Sequence, residues 1–218
     1  DIDQAKVLFN EGLPGNRITA YLERWRARFW LFDETYPFYQ VPNYEPKEEK
    51  GEKQWKPWSA IAAEHNADNS KVLFDHVNNT DAGLVSSRMA VRWLIACQTF
   101  ALAGGNSDFK YNKQGPSATA VMVLPLGLTL HDTLILSLVP EQREVFQADL
   151  PLWEREPESL VSLQEGKERA ITGWVDLYTW RSRSIKFQLR GEGETIGGLA
   201  IASGVGCSSE QAVDPMLS

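Results

Sequence analysis

Residues 77–105 constrain this chain most, because their second half, residues 89–102, is apolar except for Arg92, Gln98 and Thr99. An apolar run too long for a strand, and apolar nearly all round, predicts a helix buried on most of its sides. Asn79, Thr80 and Asp81 are three candidate caps in a row for the orphan N–H groups of the first turn. Gly104 and Gly105 can take the left-handed conformation that closes a helix. Between these signals a helix over about 80–103 would extend about 34 Å at roughly 1.5 Å per residue. The rest of the chain is expected to pack around it, with Trp93, Leu94 and Phe100 all buried. The apolar part falls short of the roughly 20 residues a bilayer crossing needs, and Arg92 interrupts it, so no membrane span is expected.

The 218 residues allow one large domain, or one domain with an elaboration, and 43% hydrophobic residues with 8 Trp supply ample core. A net charge of −7 argues against a free-standing protein that holds nucleic acid by bulk electrostatics, while leaving room for a local basic groove. Cys97 and Cys207 form no disulfide framework and no metal-ligand spacing. That pattern favours a reducing, cytoplasmic setting without metal or cofactor, and Cys97 reads as a small core residue. No leader-peptide pattern opens the chain, and Asp1 is not expected to be a native start.

In chain order, residues 3–12 predict a short helix ended by Gly12, and residues 18–32 a second one. The second carries Tyr21, Leu22, Trp25, Phe29 and Trp30 as an aromatic stripe, with Arg24, Arg26 and Arg28 as a solvated rim. Pro37 and Pro42 predict extended backbone over 36–42. Residues 45–58 read as a polar surface loop, 59–64 as one helical turn and 71–74 as a short strand. Residues 119–124 form an apolar, Val-containing run expected to be a buried strand. Thr129 or His131 opens a helix that must stop before Pro140. Residues 140–169 are charged and irregular, docked at 150–153, and 173–180 make a short amphipathic element. Residues 184–189 and 195–202 predict a β-hairpin around Gly191, Glu192 and Gly193. The fold class is therefore α+β: helices and short antiparallel strands around a long buried helix.

Chemistry-bearing motifs are scarce. His65, His76 and His131 fall in no metal or catalytic pattern, and no phosphate loop or nucleophile elbow is present. Asp75-His76 and His131-Asp132 are neighbours in sequence, which does not place them in one site. The Gly104-Gly105 turn with Lys110 and Lys113 downstream is a weak phosphate-binding signal. A helix C-terminus repels anions, so loop N–H groups and the lysines would have to supply it. No catalytic residue is assigned.

Several stretches taken together, YLERWRARFWLFDETYPFYQ at 21–40, residues 73–105, the 104–115 loop, LGLTLHDTLILSL at 126–138 and WVDLYTWRSRSIK at 174–186, resemble the CasA family. That family is the large subunit of the type I-E CRISPR surveillance complex, Cascade. The resemblance covers most of residues 1–218, as a single domain or a fragment of the family's large N-terminal domain, with the C-terminal four-helix bundle absent. It implies a non-catalytic, DNA-binding subunit of an antiviral RNA-guided complex. Such a subunit recognises the protospacer-adjacent motif in double-stranded DNA, contacts guide RNA and other Cascade subunits, and recruits the helicase-nuclease. By the same resemblance, Phe74, Asp75 and His76 correspond to a loop that meets the guide RNA and the motif region. Gly104, Gly105, Asn106 and Ser107 correspond to a glycine loop that approaches the motif base pairs, with Lys110 and Lys113 beside it. The family's lysine finger and glutamine wedge find no residues here. An acidic subunit fits such a complex, because base pairing reads the sequence and affinity belongs to the assembly. Two other roles remain: a purely architectural subunit, or part of a nuclease whose catalytic module lies outside this chain.

Overall fold

Two strands of alternating side chains organise the fold, and the predicted helix packs on one side of them. The computed structural model describes residues 2–65, 73–75, 82–103, 107–110, 114–118, 121–138, 149–191 and 194–208. Strands β5 (Arg183–Leu189) and β6 (Thr195–Ser203) pair antiparallel from Arg183↔Ser203 to Leu189↔Ile196. Gln188 faces Gly198 while Leu189 faces Ile196, so Gly197 is an extra residue on β6. This bulge keeps Ile196 and Leu199, three positions apart and both fully buried, on the same side of the hairpin.

That side carries the first core, in which Ile185, Phe187, Ile196 and Leu199 meet Trp58, Ala90, Trp93 and Leu94. The other side carries the second, in which Ala200 and Ala202 meet Val41, Tyr44, Phe109, Leu163, Leu177 and Trp180. Helix α3 (Ser87–Phe100) supplies the first core with Ala90, Trp93 and Leu94, and its buried Gln98 lies on the same helical face. The remaining helices are α1 (Ile2–Glu11), α2 (Gly15–Arg24), α4 (Leu130–Leu136), α5 (Leu160–Glu165) and α6 (Trp174–Tyr178). Strands β1 (Glu48–Glu49) and β2 (Glu52–Lys53) make a small hairpin, β3 (Val85–Ser86) adds to the edge of β6, and β4 (Glu168–Arg169) pairs with β7 (Gly206–Cys207). The architecture is the mixed α+β fold the sequence predicts.

The central helix is shorter than predicted and is not buried on most sides. Its 14 residues span only about 21 Å. The segment before it pairs with β6 through Val85↔Ile196 and Ser86↔Thr195, and the Ser87 N–H donates to the Glu194 carbonyl at 3.1 Å. The proposed caps Asn79, Thr80 and Asp81 lie outside the described residues, as does Gly104-Gly105. The helix stops at Phe100 with Ala101 extended, because partners from elsewhere take its last carbonyls. Trp93 and Leu94 are buried, but Phe100, the last residue of the helix and on the same face as Trp93, is 52% exposed.

Other elements also differ. The second helix ends at Arg24 and continues as a 3₁₀ turn from Arg26 to Phe29, with no residue of α2 buried. Tyr39 takes a left-handed φ of 56° within the stretch expected to be extended. The 45–58 segment holds β1 and β2, then pairs with the sheet as Lys56 and Leu199 exchange hydrogen bonds of 2.9 and 2.8 Å. A Cβ on Gly198 would stand 2.9 Å from the Lys56 carbonyl, so only the bare backbone admits this approach. Leu73 and Phe74 form an exposed turn rather than a strand. Val121, Met122, Val123 and Leu124 belong to no strand and are exposed. Helix α4 opens as predicted at Thr129, whose hydroxyl and Asp132 form a capping box, so the Asp132 carboxylate is engaged in structure. Cys97 packs against the first core, and burial pushes its thiol up to about 11 despite the Arg183 charge.

Candidate nucleic-acid interface

The end of α3 and the start of β5 are joined through one buried amide. Gln98 Nε2 donates to the Arg183 carbonyl at 3.0 Å, and the Arg183 N–H donates to Gln98 Oε1 at 2.8 Å. The side chain thus completes the hydrogen bonding of the first residue of the strand. Donors from elsewhere continue along the backbone on both sides of the helix end at Phe100. Ser117 N–H reaches Thr99 O at 3.0 Å, Gly115 N–H reaches Ala101 O at 2.7 Å, and the Arg183 guanidinium reaches Leu102 O at 2.6 Å. A cation suits the negative end of a helix dipole, and the Arg183 guanidinium stands just beyond it.

The next described residues, 107–110, are equally fixed. Ser107 Oγ accepts from the Ser203 N–H at 2.9 Å and from the Ser203 hydroxyl at 2.7 Å, and it accepts from the Phe109 N–H at 3.2 Å. Phe109 enters the second core against Tyr44, ring centroids 5.1 Å apart. Asp108 pairs with Lys47 at 2.6 Å, and the Lys110 N–H donates to the Gln164 carbonyl while its side chain stays exposed. Arg183 and Ser203 are direct cross-strand partners. The two attachments that bracket residues 103–106 therefore sit on a single strand pair.

On the return side Gly115 is packed so closely that a Cβ would lie 2.6 Å from the Thr99 carbonyl oxygen. Gly115→Ala is expected to cost about 1–3 kcal/mol by forcing that backbone apart. Thermal unfolding of the variant measures it, and an unchanged midpoint would show that the contact yields freely.

The second predicted loop hangs from the opposite core. Phe74 is 85% exposed with φ of 66°, a conformation unusual for a bulky side chain. Asp75 Oδ1 lies 3.3 Å from His65 Nδ1. His65 stands edge-on to Trp58 and Trp93, whose rings stack in parallel with centroids 4.9 Å apart, and Trp93 Nε1 donates to Glu64 at 2.5 Å. The turn is thus tethered to the first core while its tip projects.

Of the predicted site residues, Phe74 and Lys110 present exposed side chains, Asp75 is tied to His65, and Ser107 is turned into the fold as an anchor. His76, Gly104, Gly105, Asn106 and Lys113 lie outside the described residues. The Phe74 and Ser107 turns are seated in different cores. Sequence reasoning missed the supporting residues His65, Gln98, Arg183 and Ser203. Gln98 alone carried a signal, since an amide on an apolar helical face requires a partner.

Relatives share this fold. A curated CRISPR-associated protein CasA/Cse1 from Thermus thermophilus is 34% identical over 185 residues, covering 84% of this chain and 35% of the relative. A crystal structure of CasA from Thermus thermophilus is similar with a TM-score of 0.78 at 28% identity, covering 98% of this chain and 41% of that one. A chain of a CRISPR RNA-guided surveillance complex in a pre-nicking state shares the fold, with a TM-score of 0.70 at 22% identity over 98% of this chain and 42% of its own. This chain thus spans less than half the length of each of these relatives. The model of the CRISPR-associated protein Cse1 family matches residues 1–217, and the chain belongs to that family.

Proposed function

We propose that this chain is the segment of a CRISPR surveillance-complex large subunit that holds a glycine loop against the protospacer-adjacent motif of duplex DNA. The observation that carries the reading is the double attachment of residues 103–106, Leu102 to Arg183 and Ser107 to Ser203, on one strand pair. A loop of Gly104, Gly105 and Asn106 held on rigid supports presents backbone groups with little side-chain bulk. Such a loop suits a minor groove only about 6 Å wide. Lys110 and Lys113 follow as phosphate contacts, and the exposed Phe74 turn, with Asp75 and His76, meets the guide RNA end. The subunit acts without catalysis in the cytoplasm, with guide RNA, other complex subunits, target DNA and a recruited helicase-nuclease as partners.

The test uses assembled complexes carrying Gly105→Val, with motif and non-motif duplexes compared at fixed salt. The expected result is a loss of about 1–3 kcal/mol on the motif duplex, comparable to one mismatched base pair, with assembly intact. Parent-like affinity on both duplexes would return the loop to an architectural role.

A further inference from the structure

A cleft between the 35–42 turn and the 152–157 segment is unused by that reading. Its lining includes Tyr36, Phe38, Trp153, Arg28, Arg155 and Arg181, and no carboxylate, in a chain of net charge −7. The three aromatic residues are half-buried, so part of their surface faces the opening. Two of the arginines are fixed from behind. Arg155 donates to the Leu150 carbonyl at 2.9 Å and lies 3.5 Å from Asp176, and Arg181 donates to Glu158 at 2.5 Å.

Arg28 differs from both. Its guanidinium lies 3.4 Å over the Tyr36 ring with the side chain 18% exposed. Its guanidinium is ion-paired only loosely, to a carboxylate in solvent. Glu156, 83% exposed, stands at 3.6 Å. A guanidinium held flat on a ring and shared with only an exposed carboxylate keeps donors for phosphate or carboxylate oxygens. The part of the Phe38 and Trp153 rings not packed on the first core lies beside it and can accept the π-face of a base.

We propose that this cleft takes one unpaired nucleotide of a single strand, its base against Phe38 and Trp153 and its phosphate on Arg28. The site is separate from the glycine loop and does not depend on duplex recognition. Titration calorimetry with a short single-stranded oligonucleotide, adenosine monophosphate, adenosine and inorganic phosphate tests it. The oligonucleotide should bind tightest and inorganic phosphate weakest. Arg28→Gln should weaken oligonucleotide binding by about tenfold, as loss of a charge-assisted fork predicts. Glu156→Gln, a change at an exposed residue that leaves the fold intact, should strengthen it by removing the competing carboxylate. The proposal is overturned by absence of saturable oligonucleotide binding at millimolar concentration, or by inorganic phosphate matching the oligonucleotide. Adenosine monophosphate binding tighter than the strand would overturn it too, making this a free-nucleotide site instead. Should Arg28→Gln fail to fold, unchanged or weakened binding by Glu156→Gln still overturns it.

Discussion

Replacing Leu94 by Ala is expected to lower the free energy of unfolding by about 2–5 kcal/mol. Leu94 is fully buried and sits where α3 meets the hairpin, among Trp93, Ile185 and Leu199. Truncation removes apolar atoms from a core that two strands and a helix hold at fixed spacing, so the cavity cannot close completely. Phe100→Ala on the same helix is the contrast. At 52% exposure it should cost less than about 1 kcal/mol, in the range of surface substitutions. Urea unfolding of both variants measures the pair, and equal losses would mean that the end of α3 is packed as tightly as its middle.

Asp176→Asn is expected to be at least as damaging, at about 3–5 kcal/mol, because it breaks a buried ion pair and leaves half-buried Arg169 with Glu158 alone, at 3.4 Å. The Asp176 carboxylate, 1% exposed, receives both terminal nitrogens of Arg169 at 2.7 and 2.8 Å and the Thr172 N–H and hydroxyl at 2.9 and 3.1 Å. Arg169 in turn lies 4.1 Å over the Trp180 ring, part of the second core. Burial alone would raise the Asp176 pKa, but the hydrogen bonds from Arg169 and Thr172 and the charges of Arg169 and Arg155 overcome it and hold the group below the ordinary value of 3.8. A carboxylate depressed in the folded state stabilises fully above its unfolded pKa and loses that contribution as pH falls through the folded one. Stability of the parent should therefore drop on acidification below the ordinary aspartate value, and Asp176→Asn should flatten that drop. An unchanged acid limb in the variant would show that other carboxylates set it.

The hairpin and the α4 start were legible because their signals are local. Alternation over 184–189 and 195–202 marks two strands, and a threonine three residues before an aspartate marks a cap. The bulge at Gly197 was not legible, since it shows only in the register against Gln188 and Leu189. The length of α3 was overread for a similar reason. Composition showed apolar residues all round, but Val85 and Ser86 are claimed by a strand more than a hundred positions away, and Ser182 and Ser117 take the Gln98 and Thr99 carbonyls from outside the helix. Residues 121–124, the described part of the predicted strand, show the limit of hydropathy, which reports a preference for burial that the fold does not meet there. At the candidate site the resemblance pointed to the loop residues. The residues that hold them, His65 and Ser203, give no sequence signal, because each acts through a partner brought near by the fold.

The attachment of Leu102 and Ser107 to one strand pair also separates reach from support. Neighbouring strands lie about 4.8 Å apart, so the ends of the 103–106 span are held close whatever lies between them. The chain entropy of closing such a span grows only logarithmically, about 0.6 kcal/mol for each doubling of length. Insertions between Leu102 and Ser107 would leave Arg183 and Ser203 undisturbed, because both hydrogen bonds lie outside the added span. Members of one family can therefore vary how far this loop extends while the platform beneath it keeps the same geometry.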